Sequence, residues 1–226
     1  MISDLLKRLY PIECGVVLDR LDRIEVDIEV RDGSVNMNDS KACDECLKLR
    51  PYRKSCDKVN LRLDTSEVAV EIVDFEKYAN QFDNMPAMMK DRCDYIIVDR
   101  APRHEKIAFC DLTCSEEKYV NPNEGAYPLG KRAKAFKQMK CSLDRLLQEP
   151  MLAQYILTFP EKVCLFGWRD YMSVVAKPQR GKAASNMLAF VNTPSSRSGI
   201  LTQKVYEVGN GFSFVQVKYP AIYKWK

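Results

Sequence analysis

Two nearly continuous apolar runs stand close together in the middle of the chain: Asp94-Tyr95-Ile96-Ile97-Val98-Asp99 and Ile107-Ala108-Phe109-Cys110-Asp111-Leu112. A strand with one wet face alternates polar and apolar residues. A run without alternation belongs to a strand covered on both faces. The chain must therefore build a sheet with a layer on each side. Ala101-Pro102-Arg103 breaks the first run, and the charged stretch Arg103-His104-Glu105-Lys106 leads into the second. Adjacent strands joined by a charged turn are expected, with the lone histidine, His104, exposed in that turn.

The remaining pattern agrees with a layered α/β (α+β) fold, a mixed central sheet flanked by helices. Residues 3–10 read as a short helix capped by Ser3 and closed by Pro11. Residues 23–30 alternate strictly and predict a half-wet strand, with Asp32-Gly33 as its turn. The pattern returns at 58–64. Residues 67–74 carry Val68, Val70 and Ile72 in strand alternation, followed by a short helical turn from Phe75. After a polar loop over 115–130, residues 131–148 form the clearest helix, striped by Ala135, Met139, Leu143 and Leu146 and ended by Pro150. Residues 162–168 predict another strand. Residues 178–186 and 194–199 read as surface loops. Residues 205–208 and 212–217 flank Gly209-Asn210-Gly211, a hairpin signal.

At 226 residues the chain suits one sizeable core. The reading is a single domain over 1–226, with 1–60 as an N-terminal appendage, 67–168 as the central core, and 169–226 as C-terminal strands and hairpin. A net charge of +4 permits an acidic partner without demanding one. Residues 1–10 hold Asp4, Lys7 and Arg8 and have no leader-like apolar run. No stretch approaches about 18 apolar residues, so no membrane span is expected. Nine cysteines without an export signal read as reduced thiols in the cytoplasm. Cys43 and Cys46, with Cys56 downstream, fall short of a zinc site, because a structural site needs four ligands and no second pair or histidine stands nearby. With one histidine in all, histidine-based metal or base chemistry is not expected. Neither phosphate-cradling glycine motif is present.

The acids in the two apolar runs carry the chemical reading. Asp94 opens one strand and Asp111 lies near the end of the next. Carboxylates on neighbouring strands can hold a hard divalent cation; each is equally at home as a turn or cap residue. Lys131, Arg132, Lys134 and Lys137 form a basic cluster on the long helix, suited to phosphate contact or to a solvated face. Arg180 and Lys182 add charge to a later loop.

Residues 92–99, 107–113 and 131–139, in that order, resemble the core of the PD-(D/E)xK nucleases, the restriction-endonuclease-like superfamily. The likeness spans residues 67–168. It implies that Asp94 and Asp111 bind Mg²⁺ (or Mn²⁺) and that Gln138 orients the attacking water. The implied activity is hydrolysis of phosphodiesters in DNA or RNA, in defence or repair, by a homo-oligomer or with a partner protein. Arg132, Lys137, Arg180 and Lys182 would meet the nucleic acid. The motif lysine, however, is Thr113 here. The implied ammonium then comes from the following helix, from Lys131 or Lys134. The alternative is an inactive nuclease-like module that binds nucleic acid or protein.

Overall fold

The computed structural model describes residues 2–8, 10–13, 23–38, 59–82, 91–101, 104–115, 117–120, 130–170, 200–203 and 208–226. It has a mixed α+β architecture. The chain opens with two short helices, α1 (Ile2–Arg8) and α2 (Tyr10–Glu13), followed by strands β1 (Ile28–Met37) and β2 (Leu61–Asp74). Helix α3 (Phe75–Asn80) leads to β3 (Tyr95–Asp99) and β4 (Lys106–Cys114). Helices α4 (Glu117–Val120), α5 (Gly130–Leu146) and α6 (Pro150–Leu157) come next. Strands β5 (Glu161–Arg169), β6 (Ile200–Gln203), β7 (Phe212–Lys218) and β8 (Ile222–Lys224) complete the described chain.

One mixed sheet holds all eight strands, in the order β1-β2-β3-β4-β5-β7-β6, with β8 beside β2. From β1 to β4 the neighbours are antiparallel; β4, β5 and β7 are parallel, and β6 returns antiparallel to β7. Helices α5 and α6 make the crossover that a parallel β4–β5 pair requires. All five residues of β3 are buried, and β4 is buried from Lys106 to Leu112. That is the double cover expected of two unalternating runs.

The two covers differ in kind. On one face the helices bring Ile2, Leu6, Tyr78, Met139 and Leu143 against Ile96, Phe109, Phe166 and Phe214. On the other face, among the described residues, the core is built by strands and by Trp225 just after β8, without a helix. Leu61, Leu63, Tyr95, Ala108, Leu165 and Trp225 share it. The long β2 bends so that its first half lies over β5. A Cβ placed on Gly167 would stand 2.8 Å from Leu61 Cβ. Strand β8 pairs parallel with residues 62–64 of β2 and holds that half in place. Among the described residues, helices therefore flank one face of the sheet, and the sheet itself closes the other.

Local differences from the sequence pattern have physical causes. The strand expected over 23–30 begins only at Ile28 and runs through Asp32-Gly33 to Met37. Gly33, at φ +90°, takes a register irregularity inside the strand instead of turning the chain. Pro11 lies in the first turn of a new helix, and Pro150 likewise opens α6. Proline lacks only an N–H that the first helical turn leaves unpaired anyway. Glu149 caps α6 by accepting the Leu152 N–H. A short helix, α4, interrupts the expected loop. The strands expected over 58–64 and 67–74 form one strand, β2, from Leu61 to Asp74, followed by the helical turn at Phe75; residue 58 lies outside the described residues. Gly209, Asn210 and Gly211 all have positive φ, and the hairpin they introduce joins β6, at 200–203, to β7; residues 204–207 lie outside the described set. So do the loops at 178–186 and 194–199.

No helix among the described residues is long and apolar enough to cross a membrane.

Candidate functional site

Asp94 and Asp111 are brought together by the β3–β4 ladder. The last paired residues at that end are Tyr95 and Cys110. Asp94 precedes the one and Asp111, still within β4, follows the other, so the acids stand at neighbouring places on adjacent strands. The Asp94 carboxylate spans the two strands, its Oδ2 accepting the Leu112 N–H at 2.8 Å. The Asp94 N–H donates to the Cys110 carbonyl at 3.0 Å, and the Asp94 carbonyl accepts from Phe75 and Glu76 at the start of α3. Alternation along β4 settles the side of the sheet. Ile107 and Phe109 belong to the helix-side core, Ala108 and Cys110 to the strand-only core, so Asp111 stands on the helix side. Asp111 is 6% exposed.

Two buried thiols register the negative charge. Burial raises the pKa of Cys93 and of Cys110 well above the ordinary value, and both Asp94 and Asp111 push them further the same way. Both thiols therefore stay protonated at neutral pH, as the sequence reading of the cysteines expects. Among the described residues Cys93, Cys110, Cys114, Cys141 and Cys164 are free thiols. Cys43, Cys46 and Cys56 lie outside the described residues.

Helix α5 closes the site from the helix side. Gln138 Nε2 donates to the Arg92 carbonyl at 2.9 Å. The Ser142 hydroxyl accepts the Cys93 N–H at 2.9 Å and donates to the Gln138 carbonyl at 3.0 Å. Both contacts fix the backbone immediately before Asp94. Ser142 escaped the sequence reading; its signal is a small polar residue set among Met139, Leu143 and Leu146 on an apolar stripe. Lys137 pairs with Asp91 at 2.5 Å, and the Asp91 carboxylate raises the pKa of this ammonium. Lys131 and Arg132 are half-buried at the start of α5, and Lys134 is exposed. Arg180 and Lys182 lie outside the described residues.

Thr113 is half-buried and pairs with Trp168 on β5, which pairs in turn with Lys218 on β7. All three face the helix side. Lys218 Nζ sits 4.7 Å from the Trp168 ring centroid and 2.8 Å from Glu117 Oε2. A cation thus lies in the same cross-strand row as Thr113, contributed by a strand the sequence reading did not connect with β4. Only the ladder shows it, because 104 intervening positions separate the two residues in sequence.

His104 is not a plain loop residue. At φ 46° it lays its ring 5.6 Å from those of Tyr155 and Phe159. Its Nδ1 is 3.8 Å from Asp99 Oδ1, across the sheet from the Asp94 end.

No family model, curated protein or solved structure matches this chain. The chemistry rests on the residues.

Two carboxylates suit a hard cation that keeps most of its coordination for water and phosphate oxygens. They do not suit a fully protein-ligated metal: among the described residues no group of three or more His, Cys, Asp or Glu could hold one.

Proposed function

We propose that this protein is a metal-dependent nuclease that hydrolyses phosphodiester bonds in DNA, or RNA, on a restriction-endonuclease-like core formed by β2, β3, β4, α5 and β5. The observation that carries the reading is the placement of Asp94, just before β3, beside Asp111 within β4, with α5 bonded to the backbone next to Asp94. In this reading the two carboxylates hold Mg²⁺ or Mn²⁺, which when bound polarises a phosphoryl oxygen and makes water a better nucleophile. Asp94 keeps its place through the Leu112 N–H. Gln138 and Ser142 hold residues 92–93 in position, so Gln138 acts by positioning the strand start. The ammonium that Thr113 lacks comes from Lys131 or Lys134 on α5, and Lys218 is a third source on the same face.

A second reading has its own support. Thr113 is neutral, Gln138 is engaged with Arg92, and Lys137 with Asp91. A module that kept the sheet and lost catalysis, binding nucleic acid or a partner protein, accounts for all three.

The test is cleavage of plasmid DNA, linear DNA and RNA with Mg²⁺ or Mn²⁺, beside an EDTA control and the Asp111→Asn variant. Metal-dependent cleavage that disappears in a folded Asp111→Asn protein is expected. Full activity in that variant would sink the assignment. Absence of cleavage on every substrate favours the inactive module, and Thr113→Lys then reports whether the remaining site is intact.

A further inference from the structure

At the end of β7 the chain turns, and Tyr219 leaves the turn with its N–H donating to the Trp168 carbonyl at 2.8 Å. Two arginines from distant strands meet its ring. Arg169, the last residue of β5, has its Cζ 4.5 Å from the ring centroid. Arg62 of β2 has its Cζ 5.0 Å from the same centroid and donates to the Tyr219 hydroxyl at 3.2 Å. The bending of β2 over β5 makes this meeting possible.

Arg169 is 7% exposed, yet among the described residues its Nε and one terminal nitrogen have no hydrogen-bond partner. A guanidinium cannot shed its charge by losing a proton, as a buried lysine can. Packing against an aromatic face satisfies its plane and leaves the N–H edge unanswered. A buried cation in that state is destabilising on its own account, which is what a site prepared for an absent anion looks like. These two donors, Nε and Nη1, lie on different edges of the guanidinium, and each can donate to a phosphate oxygen.

We propose that Arg169, with Arg62 across the Tyr219 ring, is a phosphate-binding clamp for the nucleic-acid strand. The proposal rests on the nuclease reading for the kind of phosphate involved. Arg169 pairs with Cys114 on the β4–β5 ladder, three positions beyond Asp111 and so about 10 Å along the strand. Alternation with Trp168 puts Arg169 on the strand-only face, opposite Asp111, so a nucleic-acid strand held there reaches the acids by passing round this end of the sheet. The clamp binds and takes no part in the chemistry.

The experiment titrates a labelled duplex, a single strand and an RNA of the same sequence in EDTA over a series of KCl concentrations. The Asp111→Asn protein is compared with the same protein carrying Arg169→Gln, then Arg169→Lys, and inorganic phosphate serves as competitor. Arg169→Gln should weaken binding about tenfold at 0.1 M salt and flatten the log Kd against log salt slope by about one. Arg169→Lys, which keeps the charge and loses the in-plane guanidinium donors, should recover the slope and only part of the affinity. The thermal midpoint of Arg169→Gln should be no lower than that of its parent. Unchanged affinity and slope with a lower midpoint would make Arg169 a packing cation and overturn the clamp, as would absence of binding to all three nucleic acids. If the wild-type protein never cleaves with Mg²⁺ or Mn²⁺ while Arg169→Gln loses binding, the clamp stands and the nuclease falls. If the wild-type protein cleaves and binding is equal without Arg169, the nuclease stands and the clamp falls.

Discussion

A methyl group on residue 167 would stand 2.7 Å from Leu112 Cδ2 and 2.8 Å from Leu61 Cβ. The Leu112 tip could swing aside, but Leu61 Cβ moves only with its backbone. Gly167→Ala is therefore expected to destabilise by about 1–3 kcal/mol, the usual cost of overpacking, read as a lower urea midpoint. An unchanged midpoint would mean that the two layers of strand can part there freely. Lys106 shows a different constraint. It is buried with its ammonium 4.9 Å from the Tyr223 ring centroid, 5.2 Å from that of Trp225, and 2.7 Å from Glu161. Burial works against its charge, but the bond to Glu161 and the contact with Tyr223 win, and its pKa lies above the ordinary value. In the sequence Lys106 is one more charge in a turn, because nothing local announces that aromatic rings more than 100 positions away will close on it. Asp94 and Asp111 were legible for the opposite reason: an acid in an unbroken apolar run conflicts with its neighbours, and the conflict marks it.

Elements with strong local pattern were read with the right type and near-correct ends. Helix α5, expected over 131–148, spans Gly130–Leu146, since its apolar stripe repeats at helical spacing over four turns. β3 and β4 followed from continuous apolar runs, and β5 matches the short strand expected over 162–168. Elements held by distant partners were not read. Strand β8 is three residues long, with only Tyr223 of them buried, and no periodicity can reveal so short a strand. Its hold comes from pairing with residues 62–64 and from Trp225, whose N–H donates to the Asp64 carbonyl at 2.8 Å and whose ring is 1% exposed. Trp225→Ala should cost about 3–5 kcal/mol and, by loosening β8, should speed amide exchange in residues 61–65 of β2 more than in residues 70–74. Equal acceleration in both halves would show that β8 is no clip.

Over the whole molecule, the buried acids of high pKa set the response to alkali. Burial pushes the Cys164 thiol up to about 12, and Cys93 and Cys110 move in the same direction. Tyr155, raised by burial and then by the Glu71 and Asp99 carboxylates, also reaches about 12. A raised folded-state pKa means that the folded chain keeps a proton the unfolded chain gives up. Stability from these groups is complete below the ordinary value, 9.0 for a thiol, and is lost as pH rises beyond it. The urea midpoint should hold to about pH 8 and decline from pH 9 upward, each thiol contributing up to about 1.4 kcal/mol per pH unit. Cys164→Ala should make the decline shallower; an identical slope in the variant would remove that thiol from the account. At this scale the sequence yielded a mixed sheet with both faces covered, but not that, among the described residues, one cover would hold no helix. That cover depends on where β2 bends, a property of the assembled ladder and of no single segment.

The union of β2 with β8 also has a consequence in time. Arg62 and Tyr219 touch across 157 positions of chain, among the most distant contacts in the molecule. Closing so large a loop is entropically late work, after the β2–β3–β4 meander and the β4–α5–β5 crossover have formed. On the ribosome, one border of residues 62–64 has no strand to pair with until residue 222 has been synthesised. During that interval the nascent chain carries a bare strand edge, guarded by the charges of Arg62, Asp64 and Glu67.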